Sequence, residues 1–406
     1  MQRRPMIHLT SFFHPSGWGS LLLLLAAALL SGCVTKSPFA GVRLNEVQVI
    51  GTHNSYHLRA HDSLLALIAK VNPATAQELD YSHRPLPEQF SWLGIRQIEL
   101  DIYADPQGGL FAEPRGVKRA AEAGLPSVPN HDPEGKLRRP GFKVLHVPDV
   151  DFASSALTLV DALRQVRDWS AQHPSHFPIF IMLEPKVDSE GPELTQPAPF
   201  GTPELAALEA EILSVLPRER ILKPDDVRGT EATLPDALRK HGWPRLDSVR
   251  GKVMFAMDNE GAVRDLYLKG HPALEGRLIF VSVPPANPAA AWMKQNDPVG
   301  DFARIQALVK GGFLVRTMAD GGTAEARKNE TRRRDQALAS GAQFISTDYP
   351  EPNPAFSPYR VQFEGGIVVR ANPVNGDAEL RGIDLETPVR QARGLSQKKE
   401  KPSARD

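Results

Sequence analysis

Four short segments recur in order along this chain: GTHNSYH at 51–57, IELDIY at 98–103, VLHVP at 144–148 and IMLEPK at 181–186. Each sets a histidine or a carboxylate at the end of a β-branched, apolar run. Polar chemistry confined to the tips of successive apolar strands is how a (β/α)8 barrel is built: its interior is packed side chains, and its reactive groups sit at the carboxyl ends of the strands. Strand-like runs fall at 47–50, 95–103, 142–146, 179–183, 252–257, 278–283, 313–317 and 344–347, eight in all. Amphipathic helical stretches at 157–172, 203–216, 302–309 and 324–339 separate several of them. The alternation argues for a parallel sheet, and eight repeats in roughly 300 residues favour closure into one α/β TIM-like barrel over an open sheet.

With 406 residues, 41% of them hydrophobic, the chain can bury the core of one large domain. Basic and acidic residues cancel at 48 each, so no electrostatic case exists for a nucleic-acid partner, and no motif implies a protein partner. The single cysteine excludes an intramolecular disulfide. Arg3 and Arg4 precede an unbroken Leu/Ala run at 21–30, and Leu30-Ser31-Gly32-Cys33 follows directly. The run is short for a membrane span and fits a signal peptide over 1–32. Its end resembles a bacterial lipobox, which implies lipidation at Cys33, a tether over 33–43 and an exported, lipid-anchored protein of the bacterial envelope. Val34, where an inner-membrane retention signal would have Asp, favours the outer membrane. The domain is expected over 44–370, with a polar, disordered tail over 371–406. Residues 105–141, rich in Gly, Pro and charge, read as a functional loop.

Glu99 and Asp101 are two apart on a strand, so both carboxylates leave the same face. Inside a barrel they would repel unless a cation lay between them, and oxygen donors suit Ca2+, with Mg2+ second, better than zinc. On an exposed edge the same pair would simply be solvated. Asn54 follows the first strand and offers a carbonyl oxygen to such an ion, and Glu184 could complete the set. His53 and His146, both at strand ends, are the residue type for moving protons near neutral pH. Lys186 could hold a phosphate as a point charge, or form a salt bridge with Glu184. Arg316 and Asp348 sit at late strand ends, Arg316 being a substrate candidate. His53, His57 and His61 have the i, i+4, i+8 spacing of a helical zinc site, a weak signal. Trp292 reads as core packing.

GTHNSYH, GIRQIELDIYADPQG, KVLHVP followed by a helix, and IFIMLEPK together resemble the catalytic region of the calcium-dependent phosphoinositide-specific phospholipase C family, in its bacterial single-domain form. The resemblance is densest over 45–190, and runs 313–317 and 344–349 carry it into the second half. It implies Ca2+ held by Asn54, Glu99, Asp101 and Glu184, with His53 and His146 as acid and base flanking the phosphodiester, and Glu99 serving also as a base. Phosphatidylinositol-type lipids would be cleaved to diacylglycerol and a cyclic inositol phosphate. His146 comes 45 positions after Asp101, farther than in the intracellular animal enzymes, and no pleckstrin, EF-hand or C2 module is present. Glycerophosphodiester phosphodiesterases share the barrel, the Glu-x-Asp pair and a Glu-x-Lys that Glu184-Pro185-Lys186 fits, but usually carry Arg where this chain has Asn54. A third reading is a non-catalytic, lipid-anchored barrel that binds inositol phosphates or sugars.

Overall fold

Runs of Val, Ile, Leu and Phe form eight parallel strands that close on one another, because residues buried on both faces of a strand must be apolar outward and packed inward. The computed structural model describes residues 39, 41–189 and 191–386. Its strands are β1 (Val47–Thr52), β2 (Gln97–Tyr103), β3 (Lys143–Val144), β4 (Ile179–Pro185), β5 (Ile221–Leu222), β6 (Val253–Met257), β7 (Ile279–Val281), β8 (Trp292–Lys294), β9 (Leu314–Met318), β10 (Phe344–Thr347) and β11 (Val369–Ala371). Parallel pairing runs β1–β2–β4–β6–β7 on one side and β8–β9–β10–β1 on the other. A parallel bridge from Ser282 to Trp292 closes the ring. The expected (β/α)8 TIM-like barrel is therefore present.

Two strand assignments change. The run 142–146 is not a barrel strand: only Lys143–Val144 pairs, antiparallel, on Ile102 and Tyr103 at the tip of β2. The eighth barrel position belongs to Trp292–Lys294, three residues in which Trp292 alone favours a strand, too short a run to signal one. Trp292 is fully buried, as expected, and lies 5.7 Å from Phe180, which stacks on Phe344 at 4.1 Å. These rings fill the barrel.

Helices Leu159–Gln172, Thr202–Val215 and Phe302–Lys310 lie where the periodicity places them. The stretch 324–339 forms two helices, Ala324–Lys328 and Arg332–Ser340, because Asn329 adopts a left-handed conformation (φ 51°) and ends the first. The tail is ordered further than expected. Leu385 is buried and Glu386 pairs with Arg96 at 2.7 Å, so residues 372–386 pack back on the barrel. The signal segment, Cys33 and residues 387–406 lie outside the described residues. No helix among the described residues is long and apolar enough to cross a membrane.

The insertion 105–141 is built rather than loose. Gly141 N–H donates to the Asp105 carbonyl at 3.0 Å and Lys143 pairs with the Asp105 carboxylate at 3.4 Å, closing its neck. It carries a helix, Arg115–Glu122, and packs Phe111 on Tyr103 at 5.1 Å.

Candidate active site

Inward and outward side chains alternate along β2: Ile98, Leu100 and Ile102 join the apolar core, while Gln97, Glu99 and Asp101 face the barrel interior, where Gln97 and Glu99 meet β10 and β9. Gln97 occupies the space beside Gly51, whose absent Cβ would lie 1.9 Å from Gln97 Oε1. Pairing of Asp101 with Glu184 in the β2–β4 register puts their carboxylates side by side. Glu99, Asp101 and Glu184 offer oxygen atoms within 4.8 Å of one another.

The chain after β1 turns through Asn54 in a left-handed conformation (φ 44°), one that Asn tolerates better than most residues. Ser55 stitches this turn to β2: its N–H donates to the Glu99 carbonyl at 3.0 Å and its hydroxyl accepts from Glu99 N–H at 2.8 Å. The turn buries the Asn54 side chain, whose Nδ2 donates to the Tyr81 hydroxyl at 3.4 Å while Oδ1 has no partner. Asp101 Oδ1 is likewise buried and unpartnered. Buried acceptors without donors are costly, and an unpartnered Asp101 Oδ1 within a set of three carboxylates fits an ion with hard, oxygen-seeking character. Glu99, Asp101 and Glu184 therefore form a set of oxygen atoms that could hold a hard cation such as Ca2+.

Electrostatics agree with that reading. Burial pushes the Glu99, Asp101 and Glu184 carboxyls above the usual range; Arg316 opposes this at Glu99, and Lys186 opposes it at Asp101 and Glu184. Lys186 Nζ lies 3.3 Å from Asp101 Oδ2 and 3.1 Å from Glu184 Oε1, so its ammonium is committed to the acids in this structure. Arg316 has a different place from the one expected. It is 1% exposed, with its guanidinium donating to Glu99 Oε2 (2.6 Å), Ser346 Oγ (2.9 Å) and Asn296 Oδ1 (2.6 Å). Such a side chain fixes Glu99, and its hydrogen bonds are made within the barrel.

Both candidate histidines are aimed by carboxylates. Thr52 pairs with Thr347 in the β1–β10 register, so the next residues along, His53 and Asp348, meet at the strand tips, with Nδ1 2.9 Å from Asp348 Oδ1. Burial opposes the charged ring, but Asp348 and then Glu99 outweigh it and hold His53 at about 10. Asp348 is fixed in turn by its N–H, which donates to Asp320 at 2.8 Å. His146 sits on a loop beyond β3 rather than at a barrel-strand end, contrary to expectation. Its carbonyl accepts from the Tyr103 hydroxyl at 2.8 Å, and its Nδ1 lies 2.7 Å from Asp151 Oδ2. Burial again opposes the charged form, Asp151 prevails, and the His146 pKa is raised. In both rings Nδ1 is occupied, which leaves Nε2 for chemistry. His146 and His53 each act electrostatically on Asp101, opposing the upward push of burial on its carboxyl.

The helical zinc pattern dissolves in the structure. His53 goes to Asp348, His57 to Asp151 at 2.9 Å, and His61 accepts from Ser63 N–H at the start of a helix. Sequence reasoning noted Asp348 only as a strand-end residue and missed Asp151 and the His57 contact altogether. The one local signal was Asp151 itself, five residues after His146.

The chain matches the family model described as phosphoinositide phospholipase C, Ca2+-dependent, over residues 42–373. Among solved structures, it is similar to a calcium-dependent phosphoinositol-specific phospholipase C from Pseudomonas sp, at 15% identity and a TM-score of 0.47, over 82% of this chain and 97% of the other. A Ca2+-dependent phosphatidylinositol-specific phospholipase C from Streptomyces antibioticus matches at 16% identity and 0.47, over 76% and 95%. The phosphatidylinositol-specific phospholipase C from Listeria monocytogenes matches at 11% and 0.42, over 77% and 91%. No curated protein matches the sequence.

Proposed function

We propose a reaction for this chain, which belongs to the Ca2+-dependent phosphoinositide phospholipase C family and is thereby a phosphoric diester hydrolase: it cleaves phosphatidylinositol-type lipids to diacylglycerol and a cyclic inositol phosphate. The observation that carries this is the pair of histidines, each with Nδ1 on a carboxylate and each acting on the charge of an oxygen cluster in which Asp101 Oδ1 has no partner. Such a layout suits proton removal on one side of a phosphorus centre and proton delivery on the other. With a cation taking up the Glu99 charge that helps raise His53, the neutral ring would accept the proton of the inositol 2-hydroxyl at Nε2 as that oxygen attacks phosphorus, with Asp348 stabilising the imidazolium. His146 delivers a proton from Nε2 to the departing glycerol oxygen, with Asp151 holding the ring. Ca2+ at Asn54, Glu99, Asp101 and Glu184 would offset charge on the phosphate oxygens and ease ionisation of the attacking hydroxyl. Lys186, held beside the cluster, adds a positive charge that a phosphate can share. Glu99 is bound to Arg316 and better placed to be a ligand than a base.

Anchoring by lipid at Cys33 in the bacterial envelope, outer membrane over inner, belongs to the same proposal; it rests on sequence alone, the Leu/Ala run, Leu30-Ser31-Gly32-Cys33 and Val34. Incubating the protein with phosphatidylinositol vesicles and with glycerophosphocholine, in calcium and in chelator, tests the reaction. Cyclic inositol phosphate from the first substrate only, lost in chelator, is the expected result. Hydrolysis of glycerophosphocholine instead would move the chain to the glycerophosphodiesterase reading, and ligand binding without hydrolysis to a non-catalytic one.

A further inference from the structure

A third imidazole, closed off from solvent, stands behind the acid arm. We propose that His57 is a positioning residue for His146, acting through Asp151. The inference rests on the acid role proposed above for His146.

His57 has no exposed surface, and neither has Asp151, so neither touches substrate. The His57 ring contacts both carboxylate oxygens of Asp151, Nε2 lying 3.0 Å from Oδ1 and 2.9 Å from Oδ2. His146 Nδ1 reaches Oδ2 from the other side at 2.7 Å. Among the described residues these two rings are the only side chains donating to the Asp151 carboxylate, and Oδ1 has His57 alone. A carboxylate only accepts, so His57 must carry its proton on Nε2, and its Nδ1 is buried without a partner. The ring therefore has one task, which is to donate to Asp151.

His57 itself is tightly held. Its N–H donates to the Asn54 carbonyl at 2.8 Å, its carbonyl accepts from His83 N–H at 2.9 Å, and its ring stacks on Tyr81 at 4.3 Å. The turn that buries the Asn54 side chain thus also sets the back of the acid arm. Removing the His57 donor strands Oδ1 out of reach of water, where the carboxylate must rotate or take up a proton, and either change loosens its hold on His146 Nδ1. An acid displaced by about 1 Å is expected to lose on the order of 100-fold in rate.

The test measures kcat and KM for wild type, His57→Phe and His57→Gln on phosphatidylinositol vesicles and on the p-nitrophenyl ester of inositol phosphate. That ester needs no proton to expel its leaving group, so it bypasses the acid. His57→Phe is expected to lower kcat on the lipid by about 100-fold with KM little changed, and to lose less than about tenfold on the ester. His57→Gln, which keeps an N–H donor, is expected to recover much of the lipid activity. Equal losses on both substrates, or equal losses for Phe and Gln, would overturn the proposal. Should His57→Phe not fold, the cycle of Asp151→Asn, His57→Ala and the double variant decides: a double variant no worse than Asp151→Asn supports action through Asp151, and additive losses refute it. The three groups also lie within 4.8 Å as potential metal donors. Zinc retained after dialysis by wild type and lost in His57→Gln would overturn the proposal in favour of a metal site. A wild type that releases no inositol phosphate from lipid tells instead against the reaction itself.

Discussion

Replacing Arg316 by methionine separates two sources of counter-charge for Glu99. In the structure Arg316 supplies a fixed one, its guanidinium 2.6 Å from Glu99 Oε2 with side chains of both residues nearly sealed from water. Methionine keeps much of the volume and removes the charge, leaving a buried carboxylate without its cation, which costs about 3–5 kcal/mol. At roughly 2–4 °C per kcal/mol for a large domain, the melting temperature in chelator should fall by about 6–20 °C. Calcium would present a second positive charge to the same carboxylate, so the deficit should shrink by about half or more in calcium-saturated protein. The pH dependence has a definite sign. Burial already raises Glu99 and Arg316 opposes it; without Arg316 the folded-state pKa rises further above the unfolded value. The folded variant then binds the proton more tightly than the unfolded chain, so the deficit is smallest in acid and grows as pH rises through neutrality. Thermal unfolding followed by circular dichroism, in chelator and in calcium at pH 5.5 and about 7.5, checks all of this. An equal deficit with and without calcium would mean that Glu99 does not face the ion, and no deficit in chelator would mean that the ion pair is not what holds it.

Three further outcomes follow from the same geometry. His146→Ala should lower turnover of phosphatidylinositol by roughly two to four orders of magnitude, and near-full activity would remove His146 from the mechanism. Burial presses His176, bound to Ser170 Oγ at 2.7 Å, down to about 4, so its contribution to stability is whole above pH about 6.5 and is lost as pH falls toward 4. Urea unfolding at pH 7 and 5 should show wild type losing roughly 2 kcal/mol more than His176→Asn, and parallel losses would contradict it. Gly51→Ala should destabilise by about 1–3 kcal/mol, since its Cβ would meet the Gln97 side chain, and unchanged urea midpoints would show that Gln97 can move aside.

What could be read from the chain beforehand was local. Glu99 and Asp101 share a face because strand side chains alternate, and that rule needs no knowledge of the partner strand. That Glu184 would lie near Asp101 was legible for a different reason: both end apolar runs, and the ends of barrel strands converge. The errors arose where a local signal was matched by a different tertiary setting. Residues 142–146 look like a barrel strand, but the Asp105–Lys143 neck folds them back across the tip of β2, while Trp292–Lys294 closes the ring through pairing alone.

Least legible were the carboxylate partners of His53 and His57, because those contacts join residues far apart in the chain. Asp348 lies 295 residues from His53 and reaches it only through the β1–β10 register, and Asp151 lies 94 residues from His57. An imidazole at a strand tip announces that protons can move there. Which nitrogen faces the substrate is decided by what holds the other one, and here that is a carboxylate in both cases. The pairing explains why two loops of unrelated sequence end in the same arrangement. At the His53 tip it arises from strand register and at the His146 loop from a buried second imidazole, so loss of one arm should leave the other ring still oriented. His57→Phe should therefore weaken proton delivery to the leaving oxygen while leaving the His53–Asp348 contact in place.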